Sequence, residues 1–295
     1  EMMSLLETNV SKNISRDKTL WRYMGLDKLI HLLNTKKLFF TSVNSYKRSD
    51  PFEGLMPTVM LEAFKDLHTR TREQLLSNID HFEPYIFNPN GKVSEGNHLK
   101  AMSEFKALRE KTMDIHKDFE RNLFRIMKSC VVNCWHMNEY ESEAMWRLYS
   151  ENNKGIAIQT TAGELIDSLD NDRIFFSEIR YMDFEDKNIT INDCLVGGQW
   201  GPLLKRYAFK HEQEARLYFA PKRDYVNISD DEYKFLHEDV DVDIDRLIKK
   251  VYISPYATEP FISSVKYICS QFGITPDKVI ESTLLKENDS LNRLY

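Results

Sequence analysis

The sequence predicts an α+β fold: a single domain over 1–295 with one central sheet, mixed or antiparallel, and a helical insertion at 59–128 packed on one side. Three observations predict it. Short runs rich in aromatic and β-branched residues at 38–42, 130–135, 155–159 and 214–219 have the length and content of buried strands. Apolar residues recur at helical spacing in 59–80 (Val59, Met60, Ala63, Phe64, Leu67) and in 99–128 (Phe105, Leu108, Ile115, Phe119, Leu123, Ile126). Strands and helices do not alternate strictly, which separates the pattern from a doubly wound parallel sheet.

Taken in order, Leu20–Met24 is a β-prone segment, and Asp27 is placed to cap a helix carrying Leu29, Ile30, Leu32 and Leu33. Leu38–Ser42 follows as a strand, then a loop from Val43 to Gly54 marked by Ser, Asn, Asp, Pro and Gly. After the first helical stretch, 82–98 carries Pro84, Pro89-Asn90-Gly91 and Gly96-Asn97 and reads as a loop. Ser142 can cap a helix through Tyr149, and Gly155–Gln159 is a strand. Glu164–Leu169 reads as a short helix, Ile174–Phe176 and Glu178–Tyr181 as two strands, Leu203–Lys210 as helix and Gly197-Gly198 as a turn. The acidic stretches Ser229–Glu232 and Glu238–Asp245 read as solvated loop and helix start. A strand ending at Ile253, a helix over about 258–271 and a strand from Val279 complete the chain.

Composition bounds the function classes. With 42% hydrophobic and 12% aromatic residues over 295 positions, the chain can bury a sizeable core and is neither disordered nor fibrous. A formal charge of -6 argues against bulk nucleic-acid binding, which needs a basic surface. No 18-residue apolar run or signal-peptide pattern occurs, so no membrane partner is expected and the cytoplasm is the expected location. Cys130, Cys134, Cys194 and Cys269 form neither a disulfide framework nor a paired zinc motif. Rossmann, phosphate-loop and hydrolase glycine motifs are absent.

Several motifs in fixed order carry a resemblance. Tyr23, Leu38-Phe39-Phe40 and Asp50-Pro51-Phe52-Glu53 come first, then Cys134-Trp135-His136 and Met145-Trp146-Arg147-Leu148-Tyr149-Ser150 leading to Gly155. Phe209-x-x-Glu212-Gln213-Glu214-Ala215-Arg216 and Val251-Tyr252-Ile253-Ser254-Pro255 follow. Over roughly 20–285 this order resembles the bacterial family called domain of unknown function 2971, with Ser49, Phe209 and Ser254 departing from its usual Asn, Trp and Gly. A looser likeness is to ADP-ribosyltransferases, which place Arg, His or an aromatic on a first strand, a hydroxyl on a second, and a Glu-x-Glu near a later one. That likeness implies NAD as substrate, Glu214 and Glu212 as catalytic carboxylates, and Arg22, Tyr23, Ser42, Trp146 and Tyr149 as NAD-binding residues.

The residues leave alternatives open. A carboxylate beside an oxocarbenium-like centre stabilises it, but Glu214 and Arg216 could equally form a structural ion pair on the strand face they share with Glu212 and Tyr218. Asp50 and Glu53 lie on a Pro-stiffened loop suited to substrate contact. Their structural alternative has Asp50 capping a turn, Phe52 in the core and Glu53 paired with an arginine. Trp146 and Tyr149, three apart on a helix, suit either packing or a stacking platform. No metal is expected, because no Lys or His completes a nuclease motif around the carboxylates. Two functions are expected as competitors: an NAD-consuming ADP-ribosyltransferase or NAD glycohydrolase, by analogy a conflict or defence effector, acting on an unknown acceptor; or a non-catalytic module binding a nucleotide or protein partner.

Overall fold

The computed structural model describes residues 9–87, 95–114, 119–196, 202–221, 229 and 236–286. The Asn90-Gly91 and Gly197-Gly198 turns, Asp230–Glu232 and 115–118 of the second helical stretch lie outside them. The fold is α+β. Its strands are β1 (Thr19–Gly25), β2 (Lys37–Ser42), β3 (Val131–Met137), β4 (Gly155–Thr161), β5 (Phe175–Glu178), β6 (Arg180–Met182), β7 (Leu204–Arg206), β8 (Glu214–Phe219), β9 (His237–Asp241), β10 (Lys250–Ile253) and β11 (Val279–Glu281). The helices are α1 (Leu26–Thr35), α2 (Thr58–Phe87), α3 (Glu95–Asp114), α4 (Phe119–Lys128), α5 (Glu143–Tyr149), α6 (Ala162–Asp167), α7 (Ile244–Leu247) and α8 (Phe261–Gln271).

Among the described residues, nine strands form one sheet, in which β11-β10-β4-β1-β3-β2-β9 follow one another and β8 joins β3 to β5. All pairs are antiparallel except β10 with β11, and β6 pairs β7 in a separate parallel ribbon. The unusual strand is β3. One of its edges pairs with β8 from Val131 to His136. The other edge serves two strands: β1 at Trp21↔His136 and Leu20↔Met137, and β2 at Thr41↔Val132 and Ser42↔Val131. The sheet therefore forks at Asn133–Trp135. Asn133 helps hold the fork from inside, donating from Nδ2 to the Phe39 carbonyl at 3.0 Å and accepting from Trp135 Nε1 at 2.8 Å.

Alternation along the strands sends Leu20, Met24, Val131, Trp135, Ile156, Ile158, Ala215, Leu217 and Phe219 to one face, where they meet α1, α6 and α8 in the main core. On the other face Val132 and Tyr218 pack with Met60 of α2 and with Leu123 and Met127 of α4. There too Trp21, Tyr23 and Ala157 pack with Met145 and Trp146 of α5. Both faces are covered, so β8 is buried along its whole length.

Several local expectations are corrected. The N-cap of α1 is Gly25, with Asp27 in the first turn, where its charge favours the helix dipole. The loop expected at 82–98 is shorter: α2 runs on to Phe87 and α3 starts at Glu95. Pro84 removes only one main-chain bond near the end of a long helix. The helix expected over Leu203–Lys210 is only partly present, as a short 3-10 helix after a strand. Leu204–Arg206 pairs with β6, and Tyr207–Glu212 is a 3-10 turn. Glu238–Asp241 is not loop but part of edge strand β9, paired with β2. Its acids suit an edge, where charge discourages further pairing.

Candidate functional site

Where β1 and β2 diverge, a cleft of about 590 Å³ opens above β3. Helix α1, which links the end of β1 to the start of β2, contributes Asp27, Lys28 and His31 to its rim. Arg22 and Tyr23 line it from β1, Thr41 from β2, Tyr46 from the following turn, Cys134 and His136 from β3, and Tyr149 from α5. Glu212 and Glu214 complete the wall.

Arg22 is half-buried and has no carboxylate within ion-pair distance among the described residues. Its Nη1 is buried without a hydrogen-bond partner among the described residues, and its guanidinium lies 5.7 Å from the Trp135 ring. Burial pushes its pKa below the ordinary guanidinium value, yet an arginine does not give up its proton in a protein. The site thus carries a desolvated positive charge with no compensating carboxylate among the described residues. Tyr23 accepts a hydrogen bond on its hydroxyl from the Ser142 N–H at 2.9 Å, tying β1 to the cap of α5. Tyr46 and Cys134 touch at 3.8 Å. Burial pushes the Cys134 thiol up to about 12, so it is not a thiolate nucleophile.

The carboxylate wall is an ionic cluster. Arg216, 1% exposed, donates from Nε and Nη2 to the two oxygens of Glu214, each at 2.9 Å, a bidentate pair. Its Nη1 donates to Glu53 at 2.7 Å and to the Pro202 carbonyl at 2.6 Å. Lys205 bonds Glu212, and lies 3.2 Å from Glu214 and 3.5 Å from Glu53. Burial works against the Glu214 charge, but Arg216 and Lys205 outweigh it and hold the carboxyl at about 2. Burial dominates at Glu212 and raises it, against the pull of Lys205. Glu212 is also the more accessible of the two, its side chain 18% exposed against 7% for Glu214.

Strand alternation places Glu214, Arg216 and Tyr218 on one face as expected, opposite His136, Cys134 and Val132. Glu212 is not on that strand. Gln213, in the left-handed region at φ 39, breaks the alternation, and Glu212 reaches the cluster from the preceding turn. Other expected site residues lie elsewhere. Ser42 is fully buried and does not line the cleft; its hydroxyl donates to the Lys128 carbonyl at 3.0 Å and accepts from the Asn44 N–H at 3.1 Å. Trp146 is also fully buried, donating to Glu141 at 3.0 Å and meeting the Tyr23 ring edge-on at 4.9 Å. It packs, while Tyr149 on the same helix reaches the cleft.

Asp50 and Glu53 follow their structural alternative. Asp50 accepts from the Phe52 N–H at 3.0 Å and pairs with Arg206 at 2.6 Å, while Glu53 pairs with Arg216. Phe52, instead of filling the core, is 38% exposed beneath the Arg206 guanidinium at 4.5 Å. From the sequence, His136 reads only as a hydrogen-bonded residue at a strand end, and Lys205 has no assigned role. Their place at the cleft wall and the ionic cluster comes from the β3–β8 register and from the β6–β7 ribbon, which are long-range.

The molecule is thus of the α+β class with a forked sheet and a charged cleft in the fork. Residues 145–217 match the family model described as Protein of unknown function (DUF2971). The resemblance read from the motifs holds over that stretch, which contains α5 and the Glu212–Arg216 segment. No curated protein and no solved structure matches the chain. Among the described residues, no helix is long and apolar enough to cross a membrane, and no group of His, Cys, Asp or Glu is placed to hold a metal ion.

Proposed function

We propose that the cleft binds NAD and that the protein breaks its nicotinamide–ribose bond, as an ADP-ribosyltransferase or NAD glycohydrolase. The observation carrying this reading is the pairing, across one cleft, of an arginine without a counter-ion among the described residues and a Glu212/Glu214 carboxylate wall. Arg22 suits the pyrophosphate, since a desolvated guanidinium gains most from an anion. Tyr149 offers a ring for the nicotinamide or the adenine. A volume of about 590 Å³ lies within the range of cofactor-sized sites.

In the reaction the C–N bond breaks with its electron pair going to the nicotinamide ring, which leaves neutral. Positive charge builds on the ribose C1′, and a carboxylate nearby lowers its energy. Glu214 has both oxygens committed to Arg216, so the role falls to Glu212, and Glu214 with Arg216 and Lys205 orients it. A second reading, a nucleotide-binding module without catalysis, is favoured by that same locking of Glu214.

Incubating the purified protein with NAD, and following free nicotinamide and ADP-ribosylated products by mass spectrometry, tests the proposal. Nicotinamide release is expected, with Glu212→Gln slowing it about 10²–10³-fold and Arg22→Ala weakening NAD binding. A thermal shift with NAD but no nicotinamide would leave the binding module. The absence of both signals would remove NAD from consideration.

A further inference from the structure

His136 stands at the root of the fork, its position paired with Trp21 of β1 on one side and Glu214 of β8 on the other. Its Nδ1 lies 2.5 Å from the Glu212 carbonyl oxygen. A carbonyl can only accept, so Nδ1 carries the proton, and in the neutral ring Nε2 keeps its lone pair. Nε2 is buried without a hydrogen-bond partner among the described residues, although the ring belongs to the cleft wall. The turn that supplies the carbonyl is itself fastened to β3: the Gln213 carbonyl accepts from the Met137 N–H at 2.8 Å, and left-handed Gln213 turns the chain between the two contacts. The imidazole is therefore fixed in tautomer and orientation, as general bases are. Burial lowers its pKa, with His211 adding to this and the Glu212 carbonyl opposing it.

We propose that His136 is the proton acceptor of the cleft, its Nε2 removing the proton from the oxygen nucleophile that attacks the ribose C1′. The proposal rests on the NAD-cleaving reading above. In the glycohydrolase case water is the nucleophile. The C–N bond to nicotinamide breaks, a C1′–O bond forms, and the water proton passes to Nε2 and then to solvent. NAD⁺ and water become nicotinamide, ADP-ribose and one proton. In the transferase case an acceptor hydroxyl takes the place of water.

Two measurements test this. The first is the ¹⁵N NMR of the His136 ring in the wild-type protein near pH 7. A protonated Nδ1 and a bare Nε2 are expected; the reverse tautomer, or an imidazolium, overturns the assignment. The second is nicotinamide release against pH for wild type, His136→Gln and His136→Ala. Gln keeps a donor for the Glu212 carbonyl and has no base. Both variants should be about 10²–10⁴-fold slower, free imidazole should restore part of the rate to His136→Ala, and the acid limb of the wild-type profile should disappear.

Among the described residues, the charged or titratable groups placed at the ring are Tyr23 of β1, His211 and Glu212 of the turn, and Glu214, whose position pairs with His136 on β8. Of these, His211 and Glu212 could mimic the limb, so His211→Gln and Glu212→Gln are run alongside and should retain it. If folded His136→Gln keeps the wild-type rate and acid limb, His136 is structural and the NAD reading stands without it. If wild-type protein releases no nicotinamide at all, both fall.

Discussion

The side chains that matter most to this molecule are charged and buried. Glu53, Glu212, Glu214, Lys205 and Arg216 share one volume, three acids against two bases. Removing different members has different consequences. Arg216→Leu leaves three carboxylates facing one lysine, with Glu214 losing both of its guanidinium bonds. Breaking a buried pair in this way costs about 3–5 kcal/mol. Glu214→Gln removes the excess negative charge while keeping one acceptor for Arg216, so it should cost less. Urea denaturation of the two variants gives the order, and equal losses would mean that charge balance does not govern the cluster. This bears on function too: a rate lost in Glu214→Gln counts as chemistry only if the variant is shown to be folded.

At the scale of elements, α5 separates two roles across a single turn. Trp146 is sealed and Tyr149 is 42% exposed, though both were equal candidates for stacking. Trp146→Ala should lower stability by about 3–5 kcal/mol. Tyr149→Ala should cost about 1 kcal/mol or less and reduce the NAD-induced thermal shift. A preserved melting temperature in Trp146→Ala would reverse this division. Elements with strong local patterns were readable in advance: Leu38–Ser42, Val131–Trp135, Gly155–Gln159 and Glu214–Phe219 announce themselves by aromatic and branched content over strand length. The 204–212 region did not. Leu203, Leu204, Tyr207 and Ala208 have helical spacing, but pairing with β6 overrides it. The site was readable as types, an arginine and carboxylates in order along the chain. Which of them meet was not, because that depends on β3 serving two strands on one edge. His136 became a candidate only through that register.

For the molecule as a whole, the buried titratable groups predict how stability depends on pH. Burial depresses the folded-state pKa of His136 below its ordinary 6.5, so the unfolded chain takes up that proton first. Its contribution is full above that value and declines as pH falls through it. Glu214 acts lower: with the folded carboxyl taken from 4.5 to about 2, its contribution is present above the ordinary value and is lost as pH falls toward the folded one. Glu212, raised in the folded state, has the opposite sign, gaining as pH falls. Urea unfolding of wild type and His136→Gln from pH 7.5 to 5 isolates the histidine. Wild type should lose more stability than the variant below about pH 6.5, and parallel curves would contradict a buried neutral His136. The acidic border strand β9 has a consequence of another kind. Asp239 and Asp241 are exposed on either side of buried Val240, on the outermost strand beside β2. A stray peptide seeking to extend the sheet there would have to dehydrate carboxylates before gaining a single backbone bond. In a crowded solution that penalty falls on encounters between neighbouring molecules and spares the molecule's own folding, so this acid run works as insurance against fibril-like growth.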